Sequence, residues 1–147
     1  MKIGIVSDHQ GVDLKNFLKA NLKDYQVVDY SPNNYPTDDY PDYGIVLAEN
    51  VAKNKVDMGI AICGSGIGIS IACNKVKKIR CSKVSNVDEA KYTRQDNDAN
   101  IIALSAKNEN EEALKIVNTF ITTPFSNIER HIRRINKITE YEETHEC

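Results

Sequence analysis

A chain of 147 residues is long enough to bury one three-layer core and too short for two ordinary ones, so a single domain over residues 1–147 is expected. The composition, 41% hydrophobic and 27% charged, is that of an ordinary globular protein, and a net charge of −2 argues against a partner held by bulk electrostatics, such as nucleic acid. An anionic ligand must therefore meet a local positive site.

Charge interrupts every apolar stretch within a few residues, and Met1 leads straight into a strand-like run, so neither a membrane span nor a signal peptide is expected. The four cysteines (Cys63, Cys73, Cys81 and Cys147) form no C-x-x-C pair. That pattern argues against a zinc knuckle or a thioredoxin-type motif and fits free thiols in a reducing cytoplasm.

Strand-like and helix-like runs alternate along the chain, the pattern of βαβ units around a parallel sheet, which places it in the α/β class. Lys2 to Ser7 reads as a first buried strand. Leu14, Phe17, Leu18 and Leu22 then repeat at helical spacing after Asp13, a candidate cap. Val27 and Val28 suggest a second strand. Ser31 to Pro41, rich in Pro, Asn, Asp and Tyr, is too long and polar for a plain connector and is expected to line a site.

Leu47, Ala48, Val51 and Ala52 mark another helix, and Met58 to Ile62 is an unbroken apolar run that ends in Cys63 and glycines. Arg80 to Val84 and Ile101 to Leu104 complete five strands. Beyond them, Ala113, Ile116, Val117, Phe120 and Ile121 form one amphipathic stripe. Ile128, Ile132, Ile135 and Ile138 form another on a C-terminal helix, and the last residues to Cys147 read as a frayed tail.

The most informative segment is Ile62-Cys63-Gly64-Ser65-Gly66-Ile67-Gly68-Ile69-Ser70, a buried strand entering a glycine loop and then a helix-compatible stretch. Glycines let a backbone approach a ligand, and unpaired N–H groups at a helix start bind anions. A tight turn would also use glycine. Three alternating glycines at the carboxyl end of a strand, where α/β folds place their ligands, favour the anion cradle.

The glycines read G-x-G-x-G, with no acidic residue at the end of the next strand, which disfavours a dinucleotide. Ile69 stands where a phosphate-binding P-loop needs Lys. What remains is a thiol beside an anion cradle, with Cys63 placed where a helix start would stabilise its thiolate as a base or nucleophile. Cys73 and Cys81 lie within apolar elements and read as core.

Asp8-His9 directly follows the first strand and would gather at the same edge as Cys63. Gln95 to Asn100 offers acids and amides but equally fits a polar turn. Arg130 and Arg134, at i and i+4, project together, away from the isoleucine stripe, as a phosphate grip or a solvated basic face.

Five collinear motifs resemble the type B ribose-5-phosphate isomerases over nearly the whole chain. They are Asp8-His9, Asp39-Tyr40-Pro41-Asp42-Tyr43, the Cys63 to Ser70 loop with Asn74-Lys75, Arg94-Gln95 to Asn100, and Arg130-His131 to Arg134. The resemblance implies a three-layer αβα, Rossmann-like fold with a five-stranded parallel sheet of order 2-1-3-5-4. It also implies a homodimer or dimer of dimers with sites shared between subunits, and neither cofactor nor metal.

By the same resemblance, Cys63 moves the proton between C2 and C1, while Gly64, Ser65, Gly66, Ile67 and Gly68 hold the enediolate oxygen. Asp8, His9, Tyr40 and Asn97 would meet the sugar, and Lys107, Arg130 and Arg134 the phosphate of a small-molecule sugar phosphate. Lys107 stands where many members carry arginine. Asp96 stands where the family has its ring-opening histidine, and would take that catalytic place here. A six-carbon sugar phosphate of the allose or galactose type, or a non-catalytic sugar-phosphate binding role, are the alternatives that this substitution leaves open.

Overall fold

A computed structural model describes residues 1–145, and Cys147 lies outside them. Its five strands are β1 (Lys2–Ser7), β2 (Gln26–Asp29), β3 (Met58–Cys63), β4 (Cys81–Lys83) and β5 (Ile101–Ser105), all paired in parallel in the order β2-β1-β3-β5-β4. The expected order and the expected span of β1 are both found. β1, β3 and β5 read as nearly continuous apolar runs because each is covered on both faces, whereas the edge strands β2 and β4 are short and only half-buried.

Among the described residues, six α-helices flank the sheet: α1 (Val12–Asn21), α2 (Tyr40–Ala52), α3 (Ile67–Cys73), α4 (Val87–Asn97), α5 (Asn110–Thr122) and α6 (Glu129–Thr144). One layer buries Leu14 and Leu18 of α1, Ala90 of α4 and Ile116, Val117 and Phe120 of α5 against Ile3, Ile5, Ile60, Ile62 and Leu104. The other buries Leu47, Ala48 and Val51 of α2 and Ile69 and Cys73 of α3 against Val6, Ala61 and Ala103. Alternate residues of each strand feed the two layers, as a period of two requires.

One local expectation is corrected. Asp13 does not cap α1: it lies in the first turn, and the chain enters through a short 3₁₀ turn (His9–Gly11) capped by Asp8, which accepts from Gln10 N–H at 3.0 Å. The isoleucine stripe of α6 does not meet the core of its own chain. Ile128, Ile132 and Ile138 are exposed together with Tyr141, and His131 is the helix's buried residue.

Candidate active site

The strand order reverses between β1 and β3, and such a switch point opens a crevice at the carboxyl edge of a parallel sheet. Asp8 N–H donates to Ile62 O at 3.2 Å, so the chain leaving β1 lies against the end of β3. On the other flank, Ala106 N–H donates to Cys63 O at 2.9 Å, and Ser105 Oγ bridges Gly64 O (2.7 Å) and Lys107 N–H (3.1 Å). Asp8, His9, Cys63, the glycine loop and Lys107 therefore gather along one edge.

Cys63 is 4% exposed and its sulfur accepts from Gly66 N–H at 3.2 Å. Gly66 has φ of 78°, and a Cβ there would stand 2.8 Å from the carbonyl carbon of Leu104, so glycine is needed to aim that N–H at the sulfur. Ser65 Oγ accepts from Ile67 N–H at 3.1 Å and holds the turn into α3. A Cβ on Gly68 would stand 2.6 Å from Tyr40 Cζ, so the missing side chain seats the Tyr40 ring on α3 beside the loop. A thiol backed by an amide, next to a loop of further amides, can exchange a proton with a carbon acid and hold the oxyanion that results.

The third component was not distinguishable in the sequence. Asp38, buried within the Ser31 to Pro41 segment, accepts on Oδ1 from His9 N–H (2.8 Å) and bonds the His9 ring at Nδ1 (2.7 Å). On Oδ2 it accepts from Asn34 Nδ2 (3.0 Å), Tyr35 N–H (3.2 Å) and Tyr43 OH (2.9 Å). Burial alone would raise the Asp38 carboxyl, but donors from Asn34, His9 and Tyr43 outweigh it and hold it well below the usual carboxylate range.

The hydrogen bond to Asp38, with the charges of Asp8 and Asp38, raises the His9 imidazole above its ordinary value against some desolvation. Burial and the bond to Asp38 push the Tyr43 phenol up to about 12. Burial also raises Asp8, partly offset by Gln10 N–H and by His9. The segment does line a cleft, shared by His9, Val12, Asn34, Tyr35 and Pro36. The amide of Gln10 lies against Gly64, a further neighbour with no sequence signal.

Asp96, Asn97, Arg130 and Arg134 lie elsewhere. α4 ends immediately before β5 begins, which puts Asp96 and Asn97 at the amino edge of the sheet, a strand's length, roughly 15 Å, from the Cys63 edge. His131 at the start of α6 brings Nε2 to 3.4 Å from Asp96 Oδ1. Arg94 fixes the turn between them, donating to Asp98 Oδ1 and Ala99 O at 2.7 Å each and to Thr123 O at 3.0 Å.

Arg134 does not point away from the isoleucines, as the spacing suggested. It lines one cavity of about 490 Å³ with Ile135, Ile138 and Asn97, because four residues advance a helix by a little more than one turn and bring Arg134 over Ile138. The candidate residues of one chain thus fall into two groups on opposite sheet edges.

A parallel αβα sheet with a thiol and an amide loop at its switch point defines an α/β protein with a candidate site for a small anionic molecule. The family model for ribose/galactose isomerases matches residues 3–138. The ribose-5-phosphate isomerase B of Mycolicibacterium paratuberculosis is 38% identical, with 100% of this chain and 95% of that protein covered.

Among solved structures, ribose-5-phosphate isomerase B of Clostridium thermocellum superposes with a TM-score of 0.93 at 44% identity, over 98% of this chain and 99% of that one. The enzyme of Mycoplasma genitalium, solved with bound ribulose-5-phosphate, gives a TM-score of 0.93 at 40% identity, over 98% and 97%. The chain belongs to the ribose/galactose isomerase family.

Proposed function

We propose that this protein is an aldose–ketose isomerase that interconverts ribose 5-phosphate and ribulose 5-phosphate through an enediolate. The observation that carries the reading is Cys63 at the switch-point crevice with Gly66 N–H on its sulfur. Cys63 removes the C2 proton of the open aldose and returns it at C1. Backbone amides of Gly64, Gly66, Ile67 and Gly68, with Ser65, stabilise the charge that develops on oxygen. Asp8, His9, Tyr40 and Asn97 hold the sugar, Asp96 accepts the anomeric proton during ring opening, and Lys107, Arg130 and Arg134 hold the phosphate.

The residues of that set sit on two sheet edges of one chain, so one sugar phosphate meets all of them only where two copies face each other. We therefore take the working unit to be a homodimer, or a dimer of dimers, of one-domain subunits, with each site built from the carboxyl edge of one copy and α4 and α6 of the other. The uncovered apolar face of α6, and Ile67 and Ile71 exposed on α3 beside the crevice, are the surfaces such a pairing would bury. No helix among the described residues is long and apolar enough to cross a membrane, and the working place is taken to be the cytoplasm.

A coupled assay of the purified protein should show turnover from both ribose 5-phosphate and ribulose 5-phosphate. Binding of either sugar without turnover would make it a non-catalytic sugar-phosphate binder. Because the matching family model covers galactose as well as ribose isomerases, six-carbon aldose and ketose phosphates belong in the same assay, and a preference for them would move the substrate assignment.

A phosphate remote from C1 and C2 is held alike in ground and transition states, so Arg134→Ala should raise KM about tenfold or more with little change in kcat. Inhibition by inorganic phosphate should weaken in parallel. An unchanged KM would return Arg130 and Arg134 to a solvated basic face.

A further inference from the structure

We propose that Asp38 is a positioning residue for opening of the closed aldose ring: it holds the His9 imidazole by Nδ1–H so that Nε2–H is presented to the ring oxygen. The inference rests on the isomerase reading and deepens it. Asp96 supplies a base at the anomeric hydroxyl but no acid, and ring opening needs both.

The geometry leaves His9 little freedom. An ionised carboxylate only accepts, so the 2.7 Å contact with Asp38 Oδ1 must be made by Nδ1–H. The same oxygen takes His9 N–H at 2.8 Å, which locks backbone and ring together. Asp38 in turn cannot swing away, since its side chain is 1% exposed and its other oxygen is held by Asn34, Tyr35 and Tyr43. Asn34 ties the network to the strand end through Ser7 O at 2.7 Å and to α1 through Lys15 Nζ at 3.0 Å.

Among the described residues nothing bonds Nε2 of His9, and its side chain is 35% exposed at the cleft with Val12, Asn34 and Tyr35. The charges that bear on the ring are Asp8 and Asp38, both favouring imidazolium. Lys15 from α1 reaches it only through Asn34, Tyr43 from α2 only through Asp38, and the β3 side contributes the Cys63 thiol.

In the step itself, the anomeric O–H proton passes to the Asp96 carboxylate of the facing copy, and that electron pair becomes the second C1–O1 bond. The C1–O4 bond breaks towards O4, which takes the proton from His9 Nε2. Both groups then re-equilibrate with water, so no oxidant, reductant or metal takes part. Asp38 touches no substrate. Its part is to keep the proton donor charged and aimed.

The test is how the rate scales with enzyme concentration, because an enzyme that cannot open the ring is limited at high concentration by spontaneous opening of the closed aldose. Ribulose 5-phosphate, which cannot close onto its phosphorylated 5-oxygen, imposes no such ceiling. At a pH just above the ordinary histidine value, a tenfold increase in enzyme should raise the wild-type rate on ribose 5-phosphate about tenfold and the Asp38→Asn rate less than about threefold.

Asp38→Asn should regain proportionality as the pH is lowered and His9 recovers its proton, while the wild type keeps it to a higher pH. His9→Gln should plateau at every pH, and it carries the test should Asp38→Asn fail to fold. Proportional Asp38→Asn rates at all pH values, an equal ceiling with ribulose 5-phosphate, or a plateau in the wild type would each overturn the role of Asp38 while leaving the isomerase reading intact. A wild type that consumes neither sugar would overturn the isomerase reading itself.

Discussion

Cys63→Ala is expected to lower kcat by at least about 100-fold, roughly 2.7 kcal/mol of transition-state stabilisation, while still binding ribulose 5-phosphate. The reason is local. Cys63 is the thiol that the β3 end and its glycine loop place against the Gly66 amide, and alanine cannot take a proton from carbon. The side chain is small and sits at the end of a strand, so its loss should leave the fold in place; an unchanged circular dichroism spectrum and melting temperature would separate chemistry from folding. A Cys63→Ala protein that keeps more than about a tenth of the wild-type kcat would remove Cys63 from the role of base.

The second large effect concerns two copies. If Cys63 works with the Arg130 and Arg134 of a facing subunit, inactive variants should complement each other. A heterodimer of one Cys63→Ala subunit and one Arg130→Ala/Arg134→Ala subunit contains one site with both defects and one site with none. Isolated by two different affinity tags and assayed well below KM, it should recover about half of the wild-type kcat/KM, although each parent homodimer is far below that. A value no higher than the mean of the two parents would show that each chain builds its site from its own residues.

Much of the fold was legible from patterning alone. Met58 to Ile62, an apolar run with no alternation, could only be a strand buried on both faces, and the glycines behind it marked its carboxyl end as a ligand edge. The clean stripe of Ala113, Ile116, Val117, Phe120 and Ile121 is the buried face of α5. The sheet order came from the family resemblance, since pairing among parallel strands joined by long crossovers leaves no local trace.

Asp38 could not be singled out, because Asp38 and Asp39 are adjacent, identical residues whose fates differ through the contacts of Asp38 with Asn34, Tyr35, Tyr43 and His9, the last 29 residues away. Nor could the separation of the two groups of candidate residues be read from motif order. Asp96 and Cys63 read as parts of one constellation, yet a helix that returns antiparallel to its strand necessarily delivers Asp96 to the other edge of the sheet. α6 shows the remaining limit: periodicity reveals an apolar face but not what covers it. In this chain Ile132 and Ile138 remain exposed.

Proton transfer by Cys63 at C1 and C2 is tested most directly by isomerising ribose 5-phosphate in deuterium oxide and locating the label by proton NMR. A thiol that exchanges with solvent while it holds the substrate proton predicts deuterium at C1 of the ribulose 5-phosphate formed, and none formed by Cys63→Ala. Solvent deuterium entering C1 at an undiminished rate with Cys63→Ala would contradict the enediolate with Cys63 as its base.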